Sequence, residues 1–143
     1  MKTLGLVSCT KKKQPYPCKA FDMYSPSVLF SKAYAYCRRK YDQVAILSAE
    51  YGLLLPDDEI EPYDTTLNKM SAKERLAWSE KVLVQMRSKL NLPEYDEVFF
   101  HAGKNYREFL IPKLENVGVK VEVPLGNLGI GKQLAWYIMH DCR

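Results

Sequence analysis

The chain has 143 residues, 47% of them hydrophobic and 27% charged, which suits one globular domain with one core. Twenty-one basic residues against 17 acidic give a net charge of +4, a bias that permits nucleic-acid binding without making the chain a polycation. No run of about 18 apolar residues is present, which excludes a membrane-spanning helix, and Leu4-Gly5-Leu6-Val7 is too short for a signal peptide, so a cytoplasmic protein is expected. Cys9, Cys18, Cys37 and Cys142 form no C-x-x-C pair and only His101 and His140 join them, so no metal site or cofactor is expected. In a reducing compartment these thiols stay free, and Cys37 and Cys142 read as packing residues.

Taken in chain order, Thr3–Cys9 reads as a buried strand. Ser25–Arg39 reads as a helix capped by Ser25 or Ser27, with Pro26 in its first turn and Leu29, Ala33 and Tyr36 on one face. Gln43–Ser48 is a second buried strand. Ser71–Leu90 is a longer helix, opened by a Ser71/Glu74 capping box and striped by Leu76, Val82, Leu83 and Met86. Glu97–Ala102 is a third strand, and Asn105–Val117 a helix that Pro112 must bend or divide. Val119–Val123 is a fourth strand and Gly131–His140 the last helix. Strands alternating with helices predict an α/β/α sandwich around a mostly parallel sheet of about four strands.

Open α/β sheets bind ligands beyond the carboxyl ends of their strands. Four segments fall there: Ser8-Cys9-Thr10-Lys11-Lys12-Lys13, Ser48-Ala49-Glu50-Tyr51-Gly52, His101-Ala102-Gly103-Lys104-Asn105-Tyr106, and the loop from Gly126 to Gln133. They are expected to wall one shared cleft. Gly126, Gly129 and Gly131 precede a helix and invite a phosphate contact aided by Lys132, although G-x-x-G-x-G is not the dinucleotide order. Cys9 is read as a hydrogen-bonding or buried group, with a thiol nucleophile as the alternative. Glu50 and Asp64 are the carboxylates best suited to position water or offset positive charge; the bland alternatives are a surface ion pair or a turn cap. Tyr51 and Tyr106 offer stacking faces, and His101 is either catalytic or a satisfied structural residue.

Leu47-Ser48-Ala49-Glu50-Tyr51-Gly52-Leu53-Leu54-Leu55-Pro56 followed by Pro62-Tyr63-Asp64 resembles the LSGxYGxLRPxDxxxPYR pattern of the YaaA family, peroxide-stress proteins that bind DNA. Here Ala49 stands where that family has glycine, and Asp64 where it has arginine. Ser8-Cys9-Thr10-Lys11-Lys12-Lys13-Gln14-Pro15-Tyr16 resembles the PCSxKKPY motif of archaeosine synthase, an enzyme of 7-deazaguanine chemistry. Taken whole, the chain is similar to a group of small bacterial and phage proteins of unknown function, with relatives among anti-phage DNA glycosylases. The resemblance implies a uracil-DNA-glycosylase-like fold and nucleic acid as partner, with DNA favoured over RNA.

It implies metal-free hydrolysis of an N-glycosidic bond, releasing a modified base. Asp64 or Glu50 would position water, and Lys11, Lys13 or His101 would stabilise the departing base. Tyr51 would stack on that base while the Gly126–Gly131 loop and Lys132 hold phosphate. Cys9, Thr10, Ser25, Ser27, Gly52, Gly103, Lys104, Tyr106, Gly129 and Gly131 complete the expected binding set. The alternatives are a non-catalytic DNA-binding module of stress or defence, and a base-modifying transferase.

Overall fold

The structure is a computed structural model that describes residues 2–140; Cys142 lies outside the described residues. The elements follow the sequence pattern closely. They run β1 (Thr3–Ser8), β2 (Cys18–Lys19), α1 (Ala20–Met23), α2 (Val28–Lys40), β3 (Gln43–Ser48), β4 (Gly52–Leu54), β5 (Glu59–Ile60), α3 (Ala72–Lys89), β6 (Glu97–His101), α4 (Lys104–Arg107), α5 (Leu110–Asn116), β7 (Lys120–Glu122) and α6 (Ile130–Met139). The central sheet has five strands in the order β4-β3-β1-β6-β7, and β2 pairs with β5 in a separate ribbon. β1 is parallel to both β3 and β6, β7 is parallel to β6, and β4 is antiparallel to β3. The protein is therefore a mixed α/β fold with a central, mostly parallel sheet flanked by helices.

Apolar side chains leave the sheet on both faces. On one face Leu4, Leu6, Leu47 and Phe100 pack with Trp78, Val82 and Met86 of α3 and Leu110 and Leu114 of α5. On the other, Val7, Val44 and Ile46 pack with Phe30 and Cys37 of α2 and Tyr137 of α6. Two-sided burial accounts for the unbroken apolar runs of β1 and β3, which carry no polar alternation. Among the described residues no helix is long and apolar enough to cross a membrane.

The caps act as their sequences suggest. Ser27 Oγ accepts from Phe30 N at the start of α2, and Ser71 and Glu74 form the reciprocal capping box of α3. The triplet Arg38-Arg39-Lys40 occupies the last turn of α2, where cations favour the carbonyl end of the helix dipole. The expected helix from Asn105 to Val117 is divided, but at Glu108-Phe109 rather than at Pro112. Pro112 then falls in the first turn of α5, where its missing N–H leaves no intrahelical bond unmade.

The fifth strand is the main departure from expectation. β3 does not hand over to a helix; it turns back through Ala49-Glu50-Tyr51 into β4, pairing Ser48 with Gly52. Gly52 has φ +78°, the left-handed conformation that closes a three-residue hairpin loop. Tyr51 N donates to Ser48 Oγ inside the turn. Side chains of α3 then cover the outer edge of β4: Leu53 N donates to Gln85 Oε1, and Lys89 Nζ donates to Leu53 O. A Cβ on Gly52 would run into Gln85, so close packing adds to the backbone requirement there.

Gly5 sits at the middle of the central strand, and a Cβ there would collide with the ring of Tyr41. Tyr41 lies at the end of α2, stacks on Phe99 at 4.6 Å, and reaches the base of the cleft described below. Gly5→Ala is expected to lower stability by about 1–3 kcal/mol through overpacking, read as a reduced urea midpoint with an unchanged slope. An unchanged midpoint would show that the ring moves aside at no cost.

Candidate functional site

The chain passes from β1 to β3 on one side, then crosses to β6 on the other, so the winding reverses between β1 and β6. A crevice opens outside the carboxyl ends of strands at such a switch point. A cleft of about 850 Å³ lies there. Its walls are the Ser8–Lys12 segment after β1, the His101–Tyr106 segment after β6, and the first turns of α2 and α6.

The floor is apolar and aromatic, with Phe30, Tyr106 and Tyr137. Three amides, Asn68, Asn105 and Gln133, face the cleft, and Asn105 Nδ2 donates to Asn68 Oδ1 at 2.6 Å. Among the described residues, Lys11, Lys12 and Lys104 supply its formal charge, and no Asp or Glu lines it. Uncompensated cations above an aromatic floor suit a flat, anionic ligand.

His101 is 7% exposed, and both of its ring nitrogens are engaged. Nε2 lies 2.7 Å from the Tyr41 hydroxyl and Nδ1 lies 2.6 Å from the Tyr137 hydroxyl. Burial pushes the imidazole down to about 4, so it is neutral at pH 7. His101 lines the cleft as a fixed wall rather than as a free acid. Of the two readings of this residue, catalytic or structurally satisfied, the occupied ring nitrogens favour the second.

Cys9 extends the β1 ladder, its N–H donating to Leu47 O, and its Sγ lies 3.0 Å from the Tyr106 hydroxyl. Behind it the Tyr63 hydroxyl lies 2.8 Å from Ser48 Oγ and 2.6 Å from the Tyr24 hydroxyl. Burial raises Tyr24, Tyr63 and Tyr106 above the ordinary phenol range, keeping these hydroxyls protonated. Within Pro62-Tyr63-Asp64, the tyrosine is thus the anchored member and Asp64 the exposed one.

Asp64 lines a second, open groove of about 330 Å³ with Lys11, Lys13 and Tyr63. Lys13 Nζ sits 4.6 Å from the centre of the Tyr63 ring. Lys11 belongs to both the groove and the main cleft. The structure therefore brings together Cys9, Thr10, Lys11, Ser27, Gly103, Lys104, Tyr106 and His101 at the cleft, with Lys13 and Asp64 beside it.

The remaining candidates stand apart from both. Glu50 is exposed and accepts from Thr65 Oγ1 at 3.0 Å. Tyr51 packs edge-on against Tyr63, and its hydroxyl accepts from Glu61 N. Gly52 lies under Gln85. Ser25 Oγ donates to Asp22 O and accepts from Gln14 Nε2, which locks the turn before α2. Gly129, Gly131 and Lys132 are exposed and line neither cavity; Ile130 and Gln133 of the same segment do. Gly129 has an ordinary negative φ, and a Cβ on either of these two glycines would meet open space, so neither backbone nor packing demands glycine there.

Asn68 and Tyr137 are cleft residues outside the segments the sequence points to, while Asn105 and Gln133 lie within those segments without a role assigned from sequence. Tyr137 carried a faint signal, one turn beyond Gln133 on the same helix face. Asn68 carried none, since its place depends on a 3₁₀ turn at Leu67–Lys69 distant from either wall in the chain.

Fold and site together define a doubly wound α/β protein with a lysine-lined cleft at its switch point. The family described as "Family of unknown function (DUF6884)" matches residues 4–139, and the chain belongs to it. The chain is also 31% identical over 117 residues to "Uncharacterized protein YfjM" of Bacillus subtilis (strain 168), covering 77% of this chain and 75% of that protein. No solved structure matches.

His101 also sets a pH dependence. Its folded pKa of about 4 lies below the ordinary histidine value of 6.5, so the unfolded chain binds the proton first as pH falls. The stability from the neutral imidazole is complete above about pH 6.5 and is lost as pH drops towards 4, on the order of 3 kcal/mol. NMR titration of the His101 ring is expected to show no protonation above pH 5, while urea midpoints fall across the same interval. A ring titrating near 6.5 would show that the two tyrosine contacts do not bury it.

Proposed function

We propose that the cleft binds a nucleotide unit of nucleic acid and that the protein hydrolyses its N-glycosidic bond without a metal. In this reading the sheet is the uracil-DNA-glycosylase-like one that the resemblance to YaaA proteins implies. The observation that carries it is the charge distribution: an aromatic-lined cleft with, among the described residues, three lysines and no carboxylate, joined through Lys11 to a groove that holds Asp64.

The base would lie on the Tyr106 side, its edge met by Asn68, Asn105 and Gln133. The sugar would face the Asp64 groove. There Asp64 orients a water whose oxygen bonds to C1′ as the bond to the base nitrogen breaks. The base leaves with the bonding pair and takes up the proton that water loses. Lys11, within reach of both compartments, offsets the charge on the departing base. Lys13, beside Asp64, steadies the carboxylate. Extruding a base from a duplex costs a few kcal/mol, which the lysine-rich rim would offset through phosphate contacts.

A second reading is a module that binds DNA without turnover. It is favoured by the exposure of Asp64 and by the position of Glu50 outside both cavities.

The two readings separate when the protein is incubated with plain DNA, transfer RNA, uracil-containing and alkylated DNA, and phage DNA carrying modified bases. Released small molecules are identified by mass spectrometry. Release of a free base, reduced about 10²- to 10⁴-fold by Asp64→Asn with binding retained, is expected. Turnover that survives the substitution would remove Asp64 from the mechanism. Retention of one nucleic acid that weakens steeply with salt, and no released base, would favour the binding module.

A further inference from the structure

A smaller and more enclosed cavity of about 180 Å³ lies behind the His101–Lys104 segment, between it and the loop that precedes α6. It shares His101, Gly103, Lys104, Gln133 and Tyr137 with the main cleft, so the two are adjoining compartments of one site. Its volume is below the range of about 300–1,000 Å³ typical of whole small-molecule ligands and suits a single compact group.

Arg107 lines this cavity. Its Nε is shut off from solvent and has no hydrogen-bond partner, and its guanidinium makes no hydrogen bond or ion pair among the described residues. The neighbouring Glu108 is paired elsewhere, with Arg75 at 3.7 Å. Lys104 stands one turn before Arg107 on α4 and lines the same cavity. Among the described residues no Asp or Glu lines it, and its histidine is neutral. A guanidinium nitrogen withdrawn from water without a partner costs free energy, and an anion drawn to Arg107 and Lys104 would offset the charge they bring to this cavity.

Gly126 forms the opposite wall. A Cβ there would stand 3.3 Å from Arg107 Nη1 and 3.0 Å from Val123 Cγ1. Both contacts are tight, so glycine at this position keeps the arginine in its seat. Of the glycines in this loop, Gly126 is therefore the one with a steric reason to be glycine, in contrast to the open surroundings of Gly129 and Gly131.

We propose that Arg107 and Lys104 form a phosphate subsite in this cavity, with Gly126 holding the guanidinium in place. The subsite takes a phosphate monoester or diester whose remaining atoms extend into the larger cleft. It deepens the nucleotide reading by placing one phosphate, and rests on that reading only for what the phosphate is attached to.

The probe is inorganic phosphate, titrated calorimetrically into the full chain at low ionic strength in a phosphate-free buffer, with no nucleic acid present. Saturable binding is expected, weakened about tenfold or more by Arg107→Gln and by Gly126→Val, and less by Lys104→Gln. Circular dichroism checks each variant; should Arg107→Gln not fold, Gly126→Val, which leaves both charges intact, reads the same contact. Absence of wild-type binding at about 10 mM phosphate, or affinity unchanged in Arg107→Gln, would overturn the subsite. So would loss of binding in Lys132→Gln with Arg107→Gln intact, which would move the phosphate to the exposed loop. Because no base release is read, the subsite and the glycosidic reaction can each fail without the other.

Discussion

The imidazole of His101, held between the hydroxyls of Tyr41 and Tyr137, is the contact on which the shape of the site depends. A neutral imidazole has one N–H and one lone pair, so one tyrosine must accept from it and the other must donate to it. The three residues come from the end of α2, the end of β6 and the last turn of α6. Tyr41 also covers Gly5 of the central strand. One buried polar bridge thereby ties the end of β6 to α2 and α6, the two helices whose first turns wall the cleft. The same bridge uses up the only histidine in the cleft, which leaves lysines, amides and the neighbouring carboxylate to carry any chemistry there.

Charge is sorted across the molecule to match. The acidic run Asp57-Asp58-Glu59 lies past β4, where Asp58 accepts from Leu55 N and pairs with Lys89, and Asp57 pairs with Lys19. These exposed pairs add little stability. Their placement matters more, because it keeps these carboxylates out of a cleft whose lysines and adjoining arginine then have no internal counter-charge. A helix end, a hairpin and a loop have each absorbed charged residues whose scatter along the chain gives no hint of this separation.

Much of the architecture was legible because it rests on local rules. Two-sided burial wrote β1, β3 and β6 as plain apolar runs, and the capping box announced α3 within one residue. β4 escaped because a strand of three residues is too short to show a period of its own, and Gly52, whose positive φ suits glycine, is the one local hint of the reversal. The strand ends pointed correctly to a cleft, and Cys9, Lys11, Lys104 and Tyr106 gather there. The site was less legible where proximity depends on tertiary packing. Tyr51 reads as a stacking residue, yet it packs edge-on against Tyr63, which is itself tied to Ser48 and Tyr24. Arg107 carries no signal of its own in the sequence, and its place against the loop through Gly126 follows only from tertiary packing.

The cover that α3 gives to β4 makes the two margins of the sheet unequal. Gln85 and Lys89 occupy the outward N–H and C=O of Leu53, the groups an incoming strand would need. At the opposite margin β7 is three residues long, exposed at both ends, and bonded along its inner side to β6. The side chains of one helix therefore act as a stopper on main-chain pairing at the β4 margin. Growth of the sheet by strand addition, whether from another molecule or from a peptide, is left with the short β7 margin alone.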